Sequence, residues 1–154
     1  MFAVLKMKWG EMMKIGVSAC LLGENCKYNG KNNFSSKLEE ILKNHDLVAI
    51  CPEVLGGLPT PRDPAEIVGE IVRTKDGRSV DDEFKKGAKK ALELIKRSKV
   101  ELVVLQSRSP SCGIGKIYDG SFTGKLINGD GIFAKLLKEE GIKAIDVEDL
   151  TNIW

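Results

Sequence analysis

The sequence predicts a three-layer α/β/α sandwich built on a mostly parallel sheet, and three observations carry that expectation. Short apolar runs recur along the chain: "KIGVSA" at 14–19, "LVAIC" at 47–51 and "VELVVL" at 100–105. Segments with apolar residues at helical spacing separate them, and strands that alternate with helices make βαβ units and a parallel sheet. The length of 154 residues suits one domain, able to bury roughly 70% of its unfolded surface.

Residues 1–13 read as an N-terminal extension without chemistry, and residues 14–154 as the single domain. In Lys14–Ala19, Ile15, Val17 and Ala19 alternate with other residues, the period of a strand. Ser36–Asn44 reads as a helix: Ser36 and Glu39 have capping-box spacing, and Leu38, Ile41 and Leu42 share a face. Leu47–Cys51 is continuously apolar, as in a strand covered on both faces, and Pro52 ends it. "PEVLGGLPTPRDP" at 52–64 holds four of the five prolines and reads as a rigid loop. Ala65–Thr74 is expected to be a short helical turn running into a strand, followed by a hairpin turn at "KDGR". Asp81 or Asp82 caps a helix to about Arg97, with Phe84, Ala88, Ala91, Leu92 and Ile95 on its inner face. Val100–Leu105 is a buried strand and "QSRSPSCGIGK" a loop. Turn signals stand at Asp119-Gly120 and Asn128-Gly129. Asp130 is placed to cap a helix that turns Phe133, Leu136 and Leu137 inward and ends at Gly141. Ile142–Val147 alternates, as a strand near a sheet edge does. The order is Rossmann-like with small hairpin insertions.

Composition narrows the function. A net charge of +2 with scattered basic residues does not suit a nucleic-acid partner. No apolar run approaches the ~20 residues of a membrane helix. The N-terminus lacks the apolar core and cleavage site of a secretory leader, so the expected location is the cytoplasm. The single histidine, His45, rules out a multi-histidine zinc site; it stands at a helix end, where a cation suits the dipole, and reads as structural. The four cysteines read as metal ligands, catalytic groups or buried thiols rather than disulfides.

Three of those cysteines fall at equivalent places. Cys20 follows the first strand, Cys51 ends the second, and Cys112 lies in the loop after the third. In a parallel sheet these strand ends share one edge, which holds the binding crevice. Three thiolates meeting there suit a soft metal or an iron–sulfur cluster. A four-iron cluster with three cysteine ligands keeps one iron open as a Lewis acid. Plainer readings stand beside this one. A lone cysteine is often a small buried hydrophobe. Cys26 reads as a fourth ligand, a resolving thiol or a loop residue. Glu53 and Glu66 suit caps or arginine partners, and Ser109 and Ser111 suit turns. Lys116 after "GIG" weakly resembles a phosphate loop, but Ile117 replaces the hydroxyl residue that loop needs.

"SACLLGENCKYNG", "CPEVLGGLPTPRDPAEI", the KDGR hairpin and "SRSPSCGIGKIYDGSFTGKLINGDGIFAKLL" together resemble one family over residues 14 to about 147. It is the bacterial and archaeal family long labelled a domain of unknown function and typified by thiouracil desulfidase. The resemblance implies an oxygen-sensitive [4Fe–4S] cluster held by the matching cysteines Cys20, Cys51 and Cys112. It implies catalytic roles for Glu53 and Ser109, and no required ligand role for Cys26. The family's "RYDG" stands here as Lys27-Tyr28-Asn29-Gly30. The implied reaction is non-redox desulfuration of a thiocarbonyl heterocycle such as a thiouracil, releasing sulfide. Glu53 would position or deprotonate water, with Glu66 the next candidate, and Ser109 would bond the heterocycle or move a proton. Arg62 and Arg108 would orient the substrate, or else hold loops through salt bridges. The alternatives are a non-catalytic cluster- or metal-binding sulfur carrier or sensor, and a zinc hydrolase.

Overall fold

The computed structural model describes residues 11–153, so most of the expected N-terminal extension lies outside the described residues. The expected layers are present. Strands β1 (Lys14–Ser18), β2 (Asp46–Ile50), β5 (Leu102–Leu105) and β8 (Ala144–Asp146) form a parallel sheet in the order β2-β1-β5-β8. The two-residue period of β5 sorts its side chains to opposite faces. Leu102 and Val104 join Ile15, Val17, Leu38, Leu42 and Leu150 on one face, under helices α1 (Ser36–Leu42) and α5 (Val147–Ile153). Val103 and Leu105 join Ala91, Ile95, Phe133 and Leu137 on the other, under α3 (Asp81–Arg97) and α4 (Ile132–Glu139). Among the described residues no helix is long and apolar enough to cross a membrane.

Two antiparallel hairpins stand as separate two-stranded sheets: β3 (Ala65–Val68) with β4 (Ile71–Thr74), and β6 (Lys116–Tyr118) with β7 (Leu126–Asn128). The helical turn expected within 65–74 is therefore corrected to a strand pair, in which Ala65 faces Thr74 and Val68 faces Ile71. The KDGR turn forms as expected, closed by the Thr74 N–H donating to the Arg78 carbonyl (2.9 Å). The run 47–51 is less covered than its apolarity suggested. It lies on an edge strand, and within β2 only Ile50 is buried.

Several capping expectations shift by a residue or change role. Ser35, not Ser36, caps α1, its Oγ accepting from Leu38 N–H. Asp81 does not cap α3; its carboxylate accepts from Val72 N–H (3.1 Å) and pairs with Lys85, fastening hairpin β3–β4 to the helix. Asp130 accepts from Gly115 N–H, leaving Gly131 at the start of α4. The last strand stops at Asp146, whose carboxylate accepts from Glu148 N–H and opens α5, a helix the sequence reading missed. His45 is structural but not a cation. Its Nδ1 accepts from Met13 N–H (2.9 Å), and burial holds its pKa below the usual value, so it serves as a neutral acceptor. Met13 is itself buried in the core.

One helix was hidden in the proline-rich stretch. Pro52 sits in the first turn, where its missing N–H costs nothing, and opens α2 (Pro52–Leu55). This short helix lies backbone to backbone on α3. A Cβ added at Gly87 would stand 1.8 Å from the Pro52 carbonyl oxygen, and one at Gly56 would stand 2.0 Å from that of Glu83. Gly87→Ala must push the helices apart, and overpacking of this kind costs about 1–3 kcal/mol or more. The expected result is a melting temperature lower by roughly 3–10 °C. A thermal scan that shows no shift would mean the two backbones do not meet.

Candidate active site

Strands β1, β2 and β5 deliver their C-terminal ends to one edge of the sheet. Beyond them lie a 3₁₀ turn (Ala19–Leu22), the start of α2, and the loop that follows β5. These segments wall a cavity of about 500 Å³. Cys20, Cys51 and Cys112 all line it, as their strand-end positions predicted, and so does Cys26. All four are free thiols. Cys51 lies one residue past its strand, at the N-cap of α2.

The Cys51 thiol reaches the Cys26 carbonyl (3.9 Å), and the Cys26 thiol shifts the pKa values of Cys20 and Cys51. It lowers the pKa of Cys20, while that of Cys26 itself is pushed up to about 11. The Cys51 thiol is raised by Cys26 and by burial. Burial pushes Cys112 up to about 12. Asn33 reaches the Cys20 sulfur with its amide (3.8 Å), and Ser111 Oγ lies 3.6 Å from that of Cys112.

Glu53 projects from the first turn of α2 to the same cavity, with a side chain only 17% exposed. Its Oε1 accepts from Arg62 Nε (3.2 Å) and its Oε2 from Ser111 Oγ (3.0 Å). Ser109 Oγ accepts from the N–H groups of Cys112 (2.7 Å) and Ser111 (3.2 Å) and lies 3.2 Å from Ser111 Oγ. The carboxylate and two hydroxyls thus make a continuous chain, Glu53–Ser111–Ser109. The sequence around Ser111 suggests only a turn. Nothing local could join it to Glu53, which is 58 positions away.

The two arginines part company. Arg62 lines the cavity, but its hydrogen bonds go to protein: Glu53, the Cys26 carbonyl (2.8 Å), the Pro59 carbonyl and Thr60. It orients Glu53 and ties down the Cys26 loop. Arg108 is not brought to the cavity wall; it pairs with both oxygens of Glu148 on α5 (2.6 and 2.9 Å), so of its two expected roles the loop-holding one describes its contacts. Lys116 donates to Asn128 across hairpin β6–β7 and also lies off the wall, so the phosphate-loop reading finds no support. Asn29 caps a local turn, its Oδ1 accepting from Lys31 N–H.

Among the described residues, no three His, Cys, Asp or Glu side chains are grouped so as to hold a single metal ion. The thiols stand instead around the wider cavity, and in a four-iron cluster each thiolate takes a different iron.

The solved structure of the [4Fe–4S]-dependent thiouracil desulfidase TudS superposes with a TM-score of 0.81 at 42% identity, covering 91% of this chain and 94% of that one. The uncharacterized protein YbbK of Bacillus subtilis (strain 168) is 40% identical over 147 residues, 89% of this chain and 97% of that one. The family described as 2-thiouracil desulfurase matches residues 15–149. The chain therefore belongs to the 2-thiouracil desulfurase family, a family of enzymes.

Proposed function

We propose that this protein removes sulfur from a thiocarbonyl heterocycle such as a thiouracil, releasing it as sulfide with no net redox change. The observation that carries the reading is the convergence of three strand-end cysteines with a carboxylate–hydroxyl chain on one cavity. The donor set fits a [4Fe–4S] cluster: Cys20, Cys51 and Cys112 would hold it, and soft thiolates are the ligands such clusters take. When bound, a cluster with one iron free of protein ligands supplies a soft Lewis acid for a thiocarbonyl sulfur.

The chain's own residues supply the rest. Water replaces sulfur at the C=S carbon, so R₂C=S and H₂O give R₂C=O and H₂S, and no electrons are gained or lost. Glu53 positions that water and accepts its proton. Arg62 and Ser111 hold the two carboxylate oxygens, which fixes the direction in which Glu53 presents a lone pair. Ser109, one hydroxyl further on, carries a proton along the chain or bonds a ring heteroatom. Partial burial of Glu53 and full burial of Ser111 limit competition from bulk water.

The direct test is anaerobic purification, assay of iron and acid-labile sulfide, and incubation with 2-thiouracil. Uracil and sulfide in equal amounts, formed without added reductant, are expected. A loaded protein that holds sulfide but makes no uracil would instead be a sulfur carrier. Cys26→Ala is expected to keep its iron and most of its turnover, because Cys26 belongs to a loop and not to a strand end. Collapse of the iron content would make Cys26 a ligand.

A further inference from the structure

Glu66 also lines the cavity, but its carboxylate faces backbone. A single oxygen, Oε1, accepts from two N–H groups, those of Gly120 (3.0 Å) and Phe122 (3.2 Å). Both belong to the connection between β6 and β7. That connection is built rigidly. Asp119 accepts from Ser121 N–H (2.9 Å) and Ser121 Oγ (2.5 Å), and Ser121 in turn meets Thr123 (2.6 Å). It lies flat on β3, for a Cβ added at Gly120 would stand 2.7 Å from the Ile67 carbonyl oxygen. Phe122 is held at φ +59°, a left-handed conformation that bulky L-residues rarely adopt. Such conformations persist where the surroundings over-determine them, and they cluster at ligand sites. Here the enforced conformation coincides with an aromatic residue that lines the cavity, on the same hairpin as Tyr118.

We propose that Phe122 is the substrate-stacking residue of this site and that Glu66 is the positioning residue that holds it there. This rests on the thiocarbonyl reading and narrows it to flat heteroaromatic substrates, whose face can pack on the ring. For this positioning role Glu66 needs only an acceptor atom, which Oε1 supplies.

The test separates these roles. Glu66→Gln keeps a carbonyl oxygen that can accept both N–H groups, so it should stay near the wild type. Glu66→Ala should speed amide exchange at Gly120 and Phe122 and raise KM for 2-thiouracil. Phe122→Ala should raise KM about tenfold or more, as loss of a base-stacking aromatic does, with a smaller change in kcat and unchanged iron content. Phe122→Leu keeps apolar bulk without a flat face and should share most of that loss. If Glu66→Gln is as damaging as Glu66→Ala, the positioning role is wrong. Wild-type turnover of 2-thiouracil alongside an unchanged KM in Phe122→Ala would overturn the stacking role alone. A wild-type protein that neither binds nor converts 2-thiouracil would overturn the function reading, and this one with it.

Discussion

A Cys51→Ser protein purified without oxygen is expected to be colourless, with iron and acid-labile sulfide at background and no desulfuration. Serine preserves size and the N-cap position at the start of α2, so the fold should survive. What is lost is the soft thiolate that iron–sulfur clusters require. Far-ultraviolet circular dichroism checks the fold, and iron analysis with the visible spectrum checks the cluster. A variant with full iron and sulfide content would remove Cys51 from the ligand set and leave the remaining three thiols, Cys26 included, as the assignment to test.

Glu53→Gln should do the opposite: load normally and turn over slowly. The amide is nearly isosteric. Its carbonyl can still accept from Arg62, and the Ser111 hydroxyl can rotate to accept from its NH₂, so the local network survives. It cannot take a proton as a base. General acid–base groups contribute typically 10²–10⁴-fold, so kcat with 2-thiouracil should fall by about that factor while KM moves little. Single-turnover measurement on protein of matched iron content is the check. Near-normal turnover would exclude Glu53 as the base and make Glu66 the next candidate, because its two backbone amides both go to Oε1 and leave Oε2 to take a proton.

The parallel core was legible because its signals are local. Leu102–Leu105 is apolar at every position, and the inner face of α3 repeats at helical spacing over 17 residues. From those strands the shared edge followed, and with it the meeting of Cys20, Cys51 and Cys112. What was illegible depends on contacts distant in sequence. "AEIVGEIVRT" carries β-branched residues on a pattern that either helix or strand can use, and it becomes a hairpin because Val72 packs on Phe84 and Asp81 takes the Val72 amide. The α2 helix looked like loop because prolines and glycines surround it; its stability comes from the close approach of Gly56 and Gly87. Arg62 and Arg108 carry the same charge in similar loops. Only the position of Glu148 on an unforeseen helix sends one of them away from the cavity.

The separateness of the two hairpins has a consequence for how such a protein can change. Each forms a two-stranded sheet of its own, while the cysteines and Glu53 are carried by the edge of the four-stranded sheet and by α2. On the proposed function, reactivity and fit would therefore be carried by different stretches of chain. Drift in the β6–β7 connection reshapes the chamber that receives a substrate without disturbing the register that assembles the thiols. On that reading a single reactive centre can be refitted to a new substrate by changes in one hairpin.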